Sequence, residues 1–177
     1  MPPAGPRLFR TLTLSLKPDR RYWGLGVTPG FRGYRLYDGP ESKALLKRWV
    51  DWGNAHRKIL HADLLHLKRP DGSGYDAMMH VDAEPPLSGN SSSVERALLM
   101  VFNQSPHRLN TTLTVPLYFA GLSSGTHVAK GTLGPSGHPV DLPGGEVWQL
   151  RRDWTVQLPI TVEPSGIAWY IFTDSAV

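Results

Sequence analysis

The sequence contains no cysteine. That excludes a disulfide framework, a thiolate metal site and a cysteine nucleophile. Long apolar runs are also missing, and none approaches the roughly 20 residues of a membrane-spanning helix. Arg7 and Arg10 interrupt the apolar stretch within Met1–Leu16, so it does not read as a signal peptide. Charge is sparse, with 19% Asp, Glu, Lys and Arg. What is abundant is 18 Gly, 16 Pro and 6 Trp among 177 residues. This composition fits one loop-rich globular β domain with a real core.

The net charge of +4 is unevenly spread. Residues 1–70 carry fourteen Lys/Arg against five Asp/Glu, and residues 71–177 carry five against ten. A basic third is compatible with nucleic-acid binding. No nucleic-acid motif accompanies it, so a solvated helix face plus an arginine-rich tail is the preferred reading.

Residues 1–22 form an unassigned basic segment, with a short alternating strand expected over Leu8–Leu16. A helix is expected over residues 41–60. Asp38 and Glu41 form a capping-box pattern, and Pro40 suits a first turn. Leu45, Trp49, Trp52, His56 and Ile59 make one apolar stripe, while Lys43, Lys47, Arg48 and Asp51 lie off it. The Trp49/Trp52 face predicts a large partner surface or self-association.

Strong turn chemistry at Arg69–Gly74 closes this section, and strands are expected after it. Ala97–Ser105 and Leu109–Leu122 read as two antiparallel strands joined by a short turn. The first is apolar on both faces. The second sets Leu109, Leu113, Val115 and Leu117 against Asn110, Thr112 and Thr114. Thr126–Leu133 is a weak strand, Gly134–Gly145 a long turn region, and Glu146–Leu150 another strand. Asp153–Val162 alternates, with Trp154, Val156, Leu158, Ile160 and Val162 on its apolar face and Pro159 marking an edge or bulge. Ile167–Phe172 reads as a second central strand. The fold class is mainly β, an antiparallel β-sandwich preceded by one amphipathic helix.

Chemistry-bearing motifs are weak. Asp71, Asp76, Asp82 and Glu84 cluster in sequence as an acid/base candidate, but turn-forming and strand-end carboxylates account for them. His56, His61 and His66 recur every five residues, which does not align side chains on a helix, so no metal site is expected. Gly121-Leu122-Ser123-Ser124-Gly125 matches the nucleophile-elbow order G-x-S-x-G, yet a strand rather than a helix is expected after it. Gly24-Leu25-Gly26 lacks the third glycine of a dinucleotide fingerprint. No cofactor is implied. Trp148, Trp154 and Trp169 suit either a sugar-stacking platform or, as preferred here, core packing. Asn90, Asn103 and Asn110 begin N-glycosylation sequons.

The run Gly26-Val27-Thr28-Pro29-Gly30-Phe31-Arg32-Gly33-Tyr34-Arg35-Leu36-Tyr37-Asp38, the Trp-rich helix, His56–Leu60 and Asp63–Gly72 together resemble the end of an α-galactosidase-like glycoside hydrolase, where a TIM barrel passes into its C-terminal β-sandwich. The resemblance covers residues 23–175. It implies that Trp23–Val27 is the last barrel strand, residues 23–70 the barrel-end strand and helix, and residues 71–177 the sandwich domain.

A full (β/α)₈ barrel takes about 250 residues. The resemblance therefore implies a truncated barrel that lacks the earlier strand ends carrying the catalytic carboxylates. It also implies that Arg32, Tyr34 and Arg35 border a carbohydrate-binding face, and that the protein is extracellular or lumenal. The expected role is an accessory domain without catalysis of its own; the alternative is an autonomous carbohydrate-binding module.

Overall fold

The computed structural model describes residues 24–27, 37, 39–72, 74–83, 95–122, 125–134 and 137–174. The chain divides into two compact units, Met1–Arg57 and Lys58–Val177.

In the first unit, helix α1 spans Pro40–Ala55. Its N-cap is Gly39, one residue later than the expected Asp38, which lies outside the described residues. Pro40 explains the placement. It is preorganised for the first helical position and forces the residue before it into extended backbone. Ser42, rather than Glu41, supplies the cap. Its hydroxyl accepts the Gly39 N–H at 3.0 Å and donates to the Gly39 carbonyl at 3.0 Å.

The stripe falls where its spacing puts it. Trp49, Trp52 and His56 are buried, Leu45 is half-buried, and Lys43, Lys47, Arg48 and Asp51 are exposed. Trp49 and Trp52 pack edge to face at 5.6 Å, and Trp52 meets the His56 ring at 4.9 Å. At 2% and 5% exposure the two tryptophans are buried.

Gly53 does not interrupt α1. The helix stops at His56, whose φ of −101° and ψ of 16° leave the helical region. The expected single helix over 41–60 is thus two, the second being α2, Arg57–Leu60, which runs into the second unit. The expected barrel strand Trp23–Val27 is not extended where it is described. Gly24 is helical, Leu25 and Gly26 form a turn, and Gly26 has φ +67°. Glycine at a positive φ ends a helix readily.

The second unit is mainly β and antiparallel throughout. Its strands are β1 Asp63–Lys68, β2 Tyr75–Val81, β3 Glu95–Asn103, β4 Leu109–Pro116, β5 Gly125–Leu133, β6 Pro139–Gln149, β7 Thr155–Val162 and β8 Ile167–Asp174. One sheet has six strands in the order β1-β2-β3-β8-β5-β6, and the other pairs β4 with β7. β1 lies before the Arg69–Gly74 turn and pairs with β2, with Leu65 opposite Met79.

β3 and β4 do not pair with each other, which corrects the expected hairpin. β3 is apolar on both faces, so it takes a neighbour on each side, β2 and β8, within a covered sheet. β4 has one wet face and crosses to the smaller sheet, where it pairs with β7. The Gly134–Gly145 region is also corrected. β6 already begins at Pro139, so most of the region is strand, and Gly137 just before it has φ +73°. Pro159 sits in β7, an edge strand of the two-stranded sheet, as its missing N–H demands.

The core lies between the sheets. In the large sheet Val81, Ala97, Phe172 and Val128 line up across four strands in one row; Met79, Leu99 and Tyr170 form the next, and Ala77, Val101 and Ala168 the third. Leu113, Val115, Val156, Leu158, Ile160 and Val162 face them from β4 and β7. Trp169 points to the opposite face of the large sheet. Its ring crosses Gly131, where a Cβ would come within 2.1 Å of the ring, and its Nε1 donates to Asp141 at 2.8 Å.

Candidate functional site

Asp82 stands apart from Asp71 and Asp76, which both act on the Lys68 ammonium. Asp71 is a turn residue whose side chain accepts the Gly74 N–H at 3.0 Å and pairs with Lys68 at 2.9 Å. Asp76 enters β2 buried and accepts from Gln104 Nε2. Asp82 follows the far end of β2 and pairs with Lys58 at 2.7 Å. Six residues of extended strand separate Asp76 from Asp82 by roughly 20 Å, too far for one acid/base pair. Glu84 lies outside the described residues.

His56 is buried beside Trp52, while His61 and His66 are exposed. Among the described residues no group of His, Asp and Glu is arranged to hold a metal ion. Gly121, at φ +65°, follows a 3₁₀ turn, Tyr118–Ala120, and strand β5 begins at Gly125. A nucleophile elbow needs a helix after its serine, and here a strand follows. Ser123 lies outside the described residues, as do Arg32, Tyr34, Arg35 and Asn90.

The other two sequons differ in setting. Asn103 is buried, and its amide donates to the carbonyls of His107, Glu163 and Val162 at 2.8, 3.0 and 3.3 Å. Its Oδ1 accepts the Ser105 N–H at 3.1 Å. The folded chain uses Asn103 as a turn brace, with its nitrogen turned away from solvent. Asn110 is exposed on the wet face of β4, where its oxygen accepts from Thr161.

The three tryptophans separate in the same way. Trp169 is fully buried and Trp148 packs on the core edge. Trp154 is neither in β7 nor on its apolar face, which corrects the alternation read from sequence. It is 43% exposed and has φ +56°. A non-glycine residue in this left-handed region carries strain of roughly 1–2 kcal/mol. Hydrogen bonds fix it there. Trp154 N–H donates to Arg151 O at 2.9 Å, Leu117 N–H donates to Trp154 O at 2.8 Å, and Arg151 N–H donates to Thr155 O at 3.0 Å. Asp153 accepts the Thr155 hydroxyl at 2.8 Å, and this bond holds its carboxyl below the usual range.

Trp154 completes an aromatic cluster. Tyr118, 62% exposed, stands edge to face against Phe119 at 5.4 Å and against Trp154 at 5.7 Å. Arg96 braces the segment from below. It is buried, its Nε donates to Ala120 O at 3.0 Å, and its Nη2 donates to Ala83 O at 3.3 Å. A Cβ on Gly121 would come within 2.5 Å of that guanidinium, so glycine is required both for φ and for space. Sequence reading missed Tyr118 and Phe119, because they sit in a strand-like apolar run. The signal available was Pro116, which ends β4 and releases the next residues from the ladder.

The helical segment and the pair of antiparallel sheets define a mainly β protein of the sandwich type. No protein family and no curated protein matches this chain. Solved structures do. A candidate alpha-N-acetylgalactosaminidase from Bacillus halodurans superposes with a TM-score of 0.50 at 15% identity, over 99% of this chain and 34% of its own. The chain thus spans about a third of that protein's length. A glycoside hydrolase family 97 enzyme from a Pseudoalteromonas strain, solved with acarbose, gives a TM-score of 0.43 at 11% identity over 74% of this chain and 19% of its own. At such identities the likeness is one of fold alone.

Proposed function

We propose that the chain is the accessory C-terminal β-sandwich of a glycoside hydrolase-like protein, with no glycosidase activity of its own. The placement of the carboxylates carries this reading: Asp82 lies a strand's length from Asp76, and Asp71 and Asp76 are engaged by Lys68 and Gln104, whereas glycosidic cleavage needs two carboxylates free to flank one bond. The fold shared with about a third of a longer candidate hydrolase supports it. On this reading the chain from Trp23 to the helices belongs with a barrel, β1 joining the sandwich sheet instead, and Arg32, Tyr34 and Arg35 border the barrel's sugar-binding face. An extracellular or lumenal location, with glycans on Asn90 and Asn110, belongs to the same proposal.

The purified chain is expected to show no turnover of aryl glycosides. Turnover abolished by Asp76→Asn would overturn the proposal. A second reading, a carbohydrate-binding module, is favoured by the outward-facing cluster of Tyr118, Phe119 and Trp154.

A further inference from the structure

We propose that Tyr118, Phe119 and Trp154, with the neighbouring Arg151 and Arg152, form a preorganised platform for an acidic glycan. The inference rests on the carbohydrate-binding reading and names its ligand class and site.

Four observations carry it. First, these are the three most exposed aromatic side chains of the described residues. They share one place rather than being scattered, which marks an interaction surface. Second, the cluster is rigid. Trp154 is held at φ +56° by the hydrogen bonds of the 151–155 turn, and the 118–121 segment is pinned by buried Arg96. Trp154 stays largely exposed although its backbone is strained, and strain of this kind gathers at functional sites. Rigid aromatic faces bind with little ordering cost.

Third, the chemistry suits a sugar. Aromatic faces offer flat apolar area to pyranose C–H groups, while the Tyr118 hydroxyl can pair with ring substituents. Single-stranded nucleic acid instead takes a series of aromatics along a basic groove, whereas here the rings are packed edge to face in one compact group. Fourth, the local charge selects an acid. Arg151 and Arg152 are exposed and outnumber the one adjacent carboxylate, Asp153, whose charged form Arg151 also favours. Guanidinium groups pair well with carboxylates.

The test is affinity electrophoresis of the full chain in gels containing polygalacturonate, neutral galactomannan or single-stranded polyuridylate. The expected result is retention by polygalacturonate, weakened about tenfold in Trp154→Asn and in the Arg151→Gln/Arg152→Gln double variant. A tenfold loss corresponds to about 1.4 kcal/mol. Asparagine tolerates the left-handed backbone, so Trp154→Asn should keep or raise the melting temperature while losing the ligand. A lower melting temperature would mean that Trp154 is a packing residue and would overturn the inference.

Retention that survives Trp154→Asn would be carried by the basic first seventy residues and would also overturn it. Equal retention by galactomannan would refute the acidic selection and leave the carbohydrate-binding reading standing. Retention by polyuridylate alone, or by none of the three, would refute both.

Discussion

At the scale of single residues, several side chains hold the fold where the backbone alone leaves gaps. Asn103 caps three carbonyls from two segments, so Asn103→Ala strands buried acceptors. The expected loss is about 2–3 kcal/mol in denaturant unfolding. Gly131 leaves room for the Trp169 ring, so Gly131→Ala should cost roughly 1–3 kcal/mol through overpacking and shift Trp169 fluorescence.

Tyr170 gives a pH signature. It lies in the core, close to the Lys130 ammonium at 5.6 Å from its ring. Burial pushes its phenol up to about 12, against about 10 in an unfolded chain. Below pH 10 both states keep the proton and stability is unaffected. Between pH 10 and 12 only the unfolded chain loses it, so stability falls as pH rises through that window. Tyr170→Phe should flatten that slope, and an unchanged slope would show that another group carries it.

At the scale of elements, local patterns were legible and partners were not. The α1 stripe was read residue by residue because helical periodicity is set by geometry within the segment. The doubly apolar runs of β3 and β8 announced central strands for the same reason. That β4 leaves β3 and crosses to β7 is a choice between partners far apart in sequence, and alternation cannot express it. The aromatic cluster escaped notice because Tyr118 and Phe119 continue the apolar wording of β4, while Trp154 keeps the parity of β7. A positive φ and a 3₁₀ turn broke both registers. Arg96 is the element-level joint here. Arg96→Met should free the 118–121 segment and speed amide exchange at Ala120 and Gly121 while sparing β4 and β7.

At the scale of the whole molecule, the six-stranded sheet is covered on both faces through its middle. β2, β3 and β8 are buried along nearly their full lengths. Amide protection should therefore be greatest in these three strands and least in β6, whose residues are mostly exposed. No helix among the described residues is long and apolar enough to cross a membrane. The accessory reading predicts that supplying the corresponding barrel raises the melting temperature of the sandwich. No change on mixing or fusion would weaken that reading.

The strand order of the large sheet has a consequence for synthesis. β8 is the last of the described strands, yet it sits between β3 and β5. On the ribosome β3 emerges with both faces apolar and one edge unpaired. Its partner follows roughly 60 residues later, several seconds at about 5–20 residues per second. For that interval an edge carrying Ala97-Leu98-Leu99-Met100-Val101-Phe102 is open to any passing strand. A nascent chain stalled after Glu163 should therefore bind trigger-factor-type chaperones or aggregate, and one extended past Asp174 should be released soluble. A monodisperse, soluble product ending at Glu163 would show that the half-built sheet protects itself.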